Sequence, residues 1–176
     1  MTASTISPKE LRASLAPQVS GRELRTILAG VPTPIAAIAA IVDGAPVGMV
    51  VGTFVGVSLE PPIVSVSLQK SSSTWPLLRD ADALGISVLT SDHAAHIGRL
   101  SGPSAERFSE IAWTGDEADA VFLNGASASF RTRIHQEVDA GDHVIALLAV
   151  DYAYSRPSAA DALVFHNSKV TTPLAP

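Results

Sequence analysis

Asp43-Gly44 stands between two aliphatic runs, Ile35 to Val42 and Pro46 to Val57, and no other feature of the chain constrains its fold as strongly. Both residues tolerate positive φ, which a two-residue hairpin turn needs at its centre, and the flanking runs are rich in strand-forming Ile, Val and Phe. The chain is thereby committed to antiparallel β structure within its first third. Glu60-Pro61-Pro62 breaks the chain before Ile63 to Leu68, where Ile63, Ser65 and Ser67 alternate with Val64, Val66 and Leu68 as in a half-buried strand. Leu84 to Leu89 reads as a fourth strand. Ala126 to His135 and His143 to Tyr154 pair across the turn-rich segment from Val138 to Asp142, and Ala162 to His166 is a last strand.

Helices are few. Leu24, Ile27 and Leu28 share one helical face over 20–30, with Gly30 as a left-handed cap and Pro32 beyond it. Ser73 or Thr74 caps a short helix through Arg79, and a helix over 93–101 runs from an Asp92 cap to Gly102. The segment 105–124 is irregular, with Trp113 packed. About six or seven strands with few helices predict a β-rich, mostly antiparallel barrel with peripheral helices, since closure removes exposed sheet edges.

A length of 176 residues suits one core, and 47% hydrophobic against 16% charged residues excludes disorder. The predicted domain covers residues 20–170, with an extension over 1–19 and a tail over 171–176. A net charge of −5 with no Lys/Arg run gives no electrostatic footprint for nucleic acid or anionic lipid. The longest strictly apolar run, Ile35 to Val42, is far below the roughly 20 residues of a membrane helix. There is no cysteine, so disulfides, thiolate metal sites and catalytic thiols drop out. The N-terminal residues lack the order of a secretory signal, which predicts a cytoplasmic protein.

Chemistry concentrates in two places. Gln69-Lys70-Ser71-Ser72-Ser73-Thr74 ends a strand and opens a helix, where backbone N–H groups, hydroxyls and Lys70 suit a phosphate; ordinary capping beside a solvated loop is the alternative. Gly48-Met49-Val50-Val51-Gly52-Thr53-Phe54 places two glycines in a strand, which either admits a planar ligand close to the backbone or marks a bend. Neither a Rossmann pyrophosphate turn nor a P-loop is present, and no G-x-S-x-G surrounds a serine. His93 and His96 have no third metal ligand at a motif-like spacing, and no metal is predicted.

The ordered set Val31-Pro32-Thr33, Asp43-Gly44, Pro46-Val47-Gly48-Met49, Thr53-Phe54, Val57-Ser58-Leu59-Glu60-Pro61-Pro62 and Lys70-Ser71-Ser72-Ser73-Thr74-Trp75-Pro76 resembles the flavin reductase-like family. Ser87-Val88-Leu89, Arg107-Phe108 ahead of Trp113, and Ala140-Gly141-Asp142-His143 continue the resemblance, which covers roughly residues 22 to 170. Members are the small reductase components of two-component flavin monooxygenases and adopt an FMN-binding split barrel.

The resemblance implies that Met49, Val50, Val51, Gly52, Thr53 and Phe54 line the flavin ring. It implies that Ser67, Gln69, Lys70, Ser71, Ser72 and Thr74 surround the ring's tail and phosphate. His143 is then the catalytic polar group beside the reacting rings, with Arg107 and Phe108 on the same rim; on the residues alone, His143 equally caps a strand and Arg107 pairs with Glu106 or Glu110. Implied cofactors are FMN or FAD, with NADH or NADPH as co-substrate. Implied partners are a second copy in a homodimer and a flavin-dependent monooxygenase. A flavin-binding or electron-transfer module holding FMN tightly is the rival reading. Val50 and Gly52 stand where relatives often carry Thr and Asn, so backbone contacts must replace two side-chain hydrogen bonds. Pro34, His93, Ser168 and Val170 replace the more usual Gly, Gln, Gly and Tyr.

Overall fold

A computed structural model describes residues 19–157 and 161–173. The predicted extension thus lies outside the described residues up to position 18, as does the tail from 174. Helix α1 (Gly21–Ala29) opens on a full capping box: Ser20 Oγ accepts from the Glu23 N–H, and the Glu23 carboxylate accepts from the Ser20 N–H. Gly30 closes it in a right-handed conformation (φ −78°), not the left-handed one expected.

Strand β1 (Thr33–Pro34) leads into β2 (Ala36–Val42), then Asp43 and Gly44 turn with φ of 52° and 79° into β3 (Ala45–Val51). The anticipated hairpin is therefore present, but the second run does not continue to Val57. It breaks at Gly52-Thr53-Phe54 and resumes as β4 (Val55–Leu59), which pairs with β5 (Pro62–Gln69). A straight strand cannot serve both partners: β3 is in register with β2 through Val51↔Ala36, whereas β4 joins β5 at Val55↔Ser65.

Short helix α2 (Trp75–Leu78), β6 (Leu84–Val88), a 3₁₀ turn over Ser91–His96 and helix α3 (Ile97–Leu100) follow. The segment expected to be irregular contains a small hairpin, β7 (Trp113–Gly115) and β8 (Val121–Leu123). The long pair is β9 (Ala128–Ala140) and β10 (His143–Ser155), joined by Gly141-Asp142 alone. The last described strands are β11 (Val164–His166) and β12 (Lys169–Thr171), the second not expected from the sequence; with β1 they make a small separate sheet.

The main sheet has the order β3-β2-β6-β9-β10-β5-β4. Its two edge strands are consecutive in the chain and linked by only three residues, a reach of about 10 Å. The sheet must therefore curl until its edges nearly meet. They do not close by a backbone ladder, so the barrel is split. Thr53 bridges the gap: its hydroxyl donates to the Ser67 carbonyl and accepts from the Ser67 N–H, both at 2.9 Å.

β2 explains why its run is apolar without alternation: both of its faces are buried. Ala36, Ile38 and Ala40 point into the barrel with Val66, Leu78 and Leu148, while Ala37 and Ala39 pack outward against Leu89, Leu100, Phe108 and Val121. Among the described residues no helix is long and apolar enough to cross a membrane.

Candidate functional site

The seam between β3 and β5 is where the barrel opens, and it holds a cleft of about 420 Å³. Met49, Val50, Val51, Gly52 and Thr53 form one wall; Ser67, Leu68 and Gln69 form the other. The turn Ser71–Thr74 closes one end, with Arg107 and His143 at the margin.

The turn is shaped by Ser72. Its Oγ accepts from the N–H groups of Thr74 and Trp75 at 3.3 and 3.2 Å, so Ser72 caps α2, not Ser73 or Thr74 as expected. Satisfying those two donors leaves others: the N–H groups of Ser71 and Ser73 make no hydrogen bond to another described residue. Gly52 and Thr53 likewise keep free N–H groups where the strand breaks.

Arg107 arrives from a turn 59 residues after Gly48 and is held by backbone and hydroxyl acceptors. Its Nε donates to the Gly102 carbonyl at 2.8 Å, and Nη1 donates to the Gly48 carbonyl at 2.7 Å and to Thr74 Oγ1 at 3.0 Å. Glu110 pairs with Arg99 instead, and no described carboxylate pairs with Arg107. A half-buried guanidinium without a counter-charge, beside two free N–H groups, is an arrangement that an anion completes. Gly48 allows this anchoring, because a Cβ there would lie 2.7 Å from Phe108 Cζ and 2.6 Å from Ala39 Cβ.

His143 opens β10 opposite Gln69, its Nδ1 2.7 Å from Asp142 Oδ1. That hydrogen bond from His143 holds the Asp142 carboxyl below the usual carboxylate range. The contact engages Nδ1 and leaves Nε2 without a described partner.

Twelve of the residues singled out from sequence thus share one cleft: Met49, Val50, Val51, Gly52, Thr53, Ser67, Gln69, Ser71, Ser72, Thr74, Arg107 and His143. Three lie elsewhere. Phe54 turns inward, its ring 5.3 Å from that of Phe130, and Phe108 is buried behind Gly48 in the outer cluster. Lys70 points away into a neighbouring hollow, where Asp139 pairs with it. Leu68 and Ser73 line the cleft without having been singled out; Ser73 was legible as part of the serine run, Leu68 only through its backbone. His93 is buried with both ring nitrogens engaged: Nδ1 accepts from the Thr90 N–H, which leaves the proton on Nε2 to donate to the Asn124 carbonyl, each at 3.0 Å. Burial pushes its pKa down.

A split antiparallel barrel whose seam exposes strand backbone beside a guanidinium without a described counter-charge and free N–H donors is an arrangement that accepts an anionic ligand. Residues 28–173 match the family described as Flavin reductase like domain. The chain belongs to the flavin reductase-like family, and with it to the flavin- and nicotinamide-using oxidoreductases.

It is 34% identical to the reductase component of the flavin-dependent trigonelline monooxygenase of Acinetobacter baylyi over 109 residues, 62% of this chain but 35% of that longer protein. It is 33% identical to the actinorhodin polyketide dimerase of Streptomyces coelicolor, covering 70% of this chain and 71% of the relative. Among solved structures, the NADH:FAD oxidoreductase SgcE6 of Streptomyces globisporus, in complex with NAD and FAD fragments, superposes with a TM-score of 0.80 at 25% identity, covering 99% and 98% of the two chains.

Proposed function

We propose that the chain is an NAD(P)H-dependent flavin reductase that reduces FMN or FAD and supplies the reduced flavin to a separate monooxygenase. The observation that carries this is the seam cleft, where Arg107, with no described carboxylate beside it, and the free N–H groups of Ser71 and Ser73 stand at the end of the Met49–Thr53 strand wall. The donor set fits a flavin: the anionic tail meets the cation and the turn, and the ring system meets the Met49–Thr53 wall. Val50 and Gly52 offer no side-chain hydrogen bond, but the free N–H groups of Gly52 and Thr53 supply donors in their place. Homology to a monooxygenase reductase component and to an NADH:FAD oxidoreductase supports the same reading.

When bound, flavin accepts a hydride from the nicotinamide, chemistry intrinsic to the two cofactors. The protein's task is to stack, orient and dehydrate the rings, and holding reactants at about 3 to 3.5 Å lowers the barrier without an acid–base pair. His143, its Nδ1 hydrogen-bonded to Asp142, offers Nε2 as a polar group beside the cleft it lines. On this proposal the enzyme works in the cytoplasm as a homodimer.

The test is a matrix of FMN and FAD against NADH and NADPH, read at 340 nm, with flavin affinity measured in parallel by fluorescence. Flavin-dependent NAD(P)H oxidation is expected; flavin binding without oxidation selects the non-catalytic alternative, and absence of binding removes the reading. His143→Ala is expected to slow stopped-flow flavin reduction more than it weakens flavin binding, and an unchanged rate removes His143 from the reaction. Sedimentation of the flavin-loaded protein decides between dimer and monomer.

A further inference from the structure

Immediately beyond the Ser72 turn lies a second hollow of about 410 Å³, sharing Gln69 and Ser72 with the seam cleft. Its charges are unevenly held. Lys70 Nζ pairs with Asp139 at 2.5 Å, but the two side chains are 42% and 82% exposed. Such an exposed pair contributes little, so Lys70 is free to exchange Asp139 for a better anion. Glu137 is anchored: Trp75 Nε1 donates to Oε1 at 2.7 Å, and Arg79 pairs with Oε2. An ionised carboxylate has about four acceptor positions, so Glu137 keeps capacity for two further donors in a fixed orientation. The Arg79 guanidinium, half exposed, and the Pro76 ring add flat surface.

A labile cation, a fixed carboxylate acceptor and a planar guanidinium match the phosphate, the vicinal ribose hydroxyls and the purine of one chemical group. We infer that this hollow takes the adenosine diphosphate half of a dinucleotide whose other half occupies the seam cleft. The inference rests on the flavin reading of that cleft. Lys70 adjoins Ser71 in the chain, so a phosphate seated at the Ser71–Thr74 turn brings a directly linked second phosphate toward Lys70. FAD has that linkage, and the enzyme therefore favours FAD over FMN. NAD(P)H carries the same half and is the other source.

The full chain is titrated with FMN, FAD and ADP by calorimetry, alongside Lys70→Gln and Arg79→Gln variants whose melting temperatures confirm folding. The wild type is expected to bind FAD at least tenfold tighter than FMN, with ADP competing against FAD. Each variant is expected to lose five- to tenfold in FAD affinity while FMN affinity stays within twofold. If flavin affinities stay level but the KM for NADH rises in both variants, the hollow holds the nicotinamide dinucleotide's half: the adenosine diphosphate site stands and the preference for FAD is overturned. ADP that fails to bind, or FMN affinity that falls in parallel with FAD, overturns it. A wild type that binds neither flavin refutes the seam-cleft reading instead, while ADP binding to wild type but not to Arg79→Gln still decides the hollow.

Discussion

Two glycines four residues apart in the same segment are expected to answer oppositely to one methyl group. At Gly48, directly opposite Ala39 in the β2–β3 ladder, an added Cβ would sit 2.6 Å from Ala39 Cβ, 2.7 Å from the Ile38 carbonyl oxygen and 2.7 Å from Phe108 Cζ. Two of those obstacles belong to a strand fixed by pairing on both sides, so the backbone must separate. Overpacking of this kind costs about 1–3 kcal/mol, and the backbone clash places Gly48→Ala near the upper end. For a domain of this size that is a fall of roughly 4–10 °C in melting temperature. The Gly48 carbonyl also holds Arg107, so flavin affinity should fall with stability.

At Gly52, among the described residues beyond its chain neighbours, the added Cβ would meet only Thr33 Oγ1 within 4 Å, at 3.4 Å. Its φ is not in the left-handed range, so Gly52→Ala should fold as well as the wild type, or gain about 0.4–1 kcal/mol from a less flexible unfolded chain. If the ring lies against this wall, the same methyl intrudes on it and weakens flavin binding about tenfold. Differential scanning fluorimetry with and without FMN separates the two effects. A Gly48→Ala protein melting within 1 °C of wild type would refute the packing argument. A Gly52→Ala protein that binds flavin normally would refute the placement of the ring.

Burial holds the His93 pKa in the folded protein below its ordinary value, while in the unfolded chain it titrates near 6.5. The unfolded state then binds more protons, so the stability this group contributes is complete above about pH 6.5 and drains as pH falls toward the folded pKa. His93→Gln, whose amide can accept from Thr90 and donate to Asn124 as the imidazole does, should keep the fold and flatten the melting-temperature profile below about pH 6.5; an unaltered slope would contradict this. Ser168 has φ +59° in the β11–β12 turn, beside Asn167 at +50°. Relieving it with Ser168→Gly should add about 1 kcal/mol, or roughly 2–4 °C, and slow amide exchange in that hairpin. Asp139→Asn should free Lys70 and tighten FAD binding two- to fivefold by fluorescence titration, with FMN unaffected.

Features set by local physics are legible in the sequence. Asp43-Gly44 turns with both φ values positive, and His143 begins its strand directly after a two-residue turn. The caps were harder: the donors at α2 go to Ser72 and not to the equally plausible Ser73 or Thr74, and the turn at residue 91 is capped by Thr90 with His93, not by Asp92. Neighbouring hydroxyls have the same chemistry, and only the angle at which the chain enters the helix selects among them. The serine turn and the glycine-bearing strand were legible as chemistry, but Arg107's anchorage on Gly48 was not, because nothing within either segment encodes a contact 59 residues away.

The break at Gly52 is not encoded in the strand pattern, and it is also where the cleft comes from. A run of strand-forming residues from Pro46 to Val57 encodes extension and says nothing about curvature. Curvature arises because β3 is committed to β2 and β4 to β5 at opposite ends of the sheet order, with three residues to join them. Had the two edges met, a ladder would have consumed the N–H groups of Gly52 and Thr53 and covered Ser67. Because they stop short, Thr53 satisfies the Ser67 edge with one hydroxyl, and the remaining donors face an open seam beside Arg107. The cleft is the part of the barrel wall that the chain's connectivity prevents from closing, so changes that tighten the seam should stabilise the fold at the expense of ligand binding.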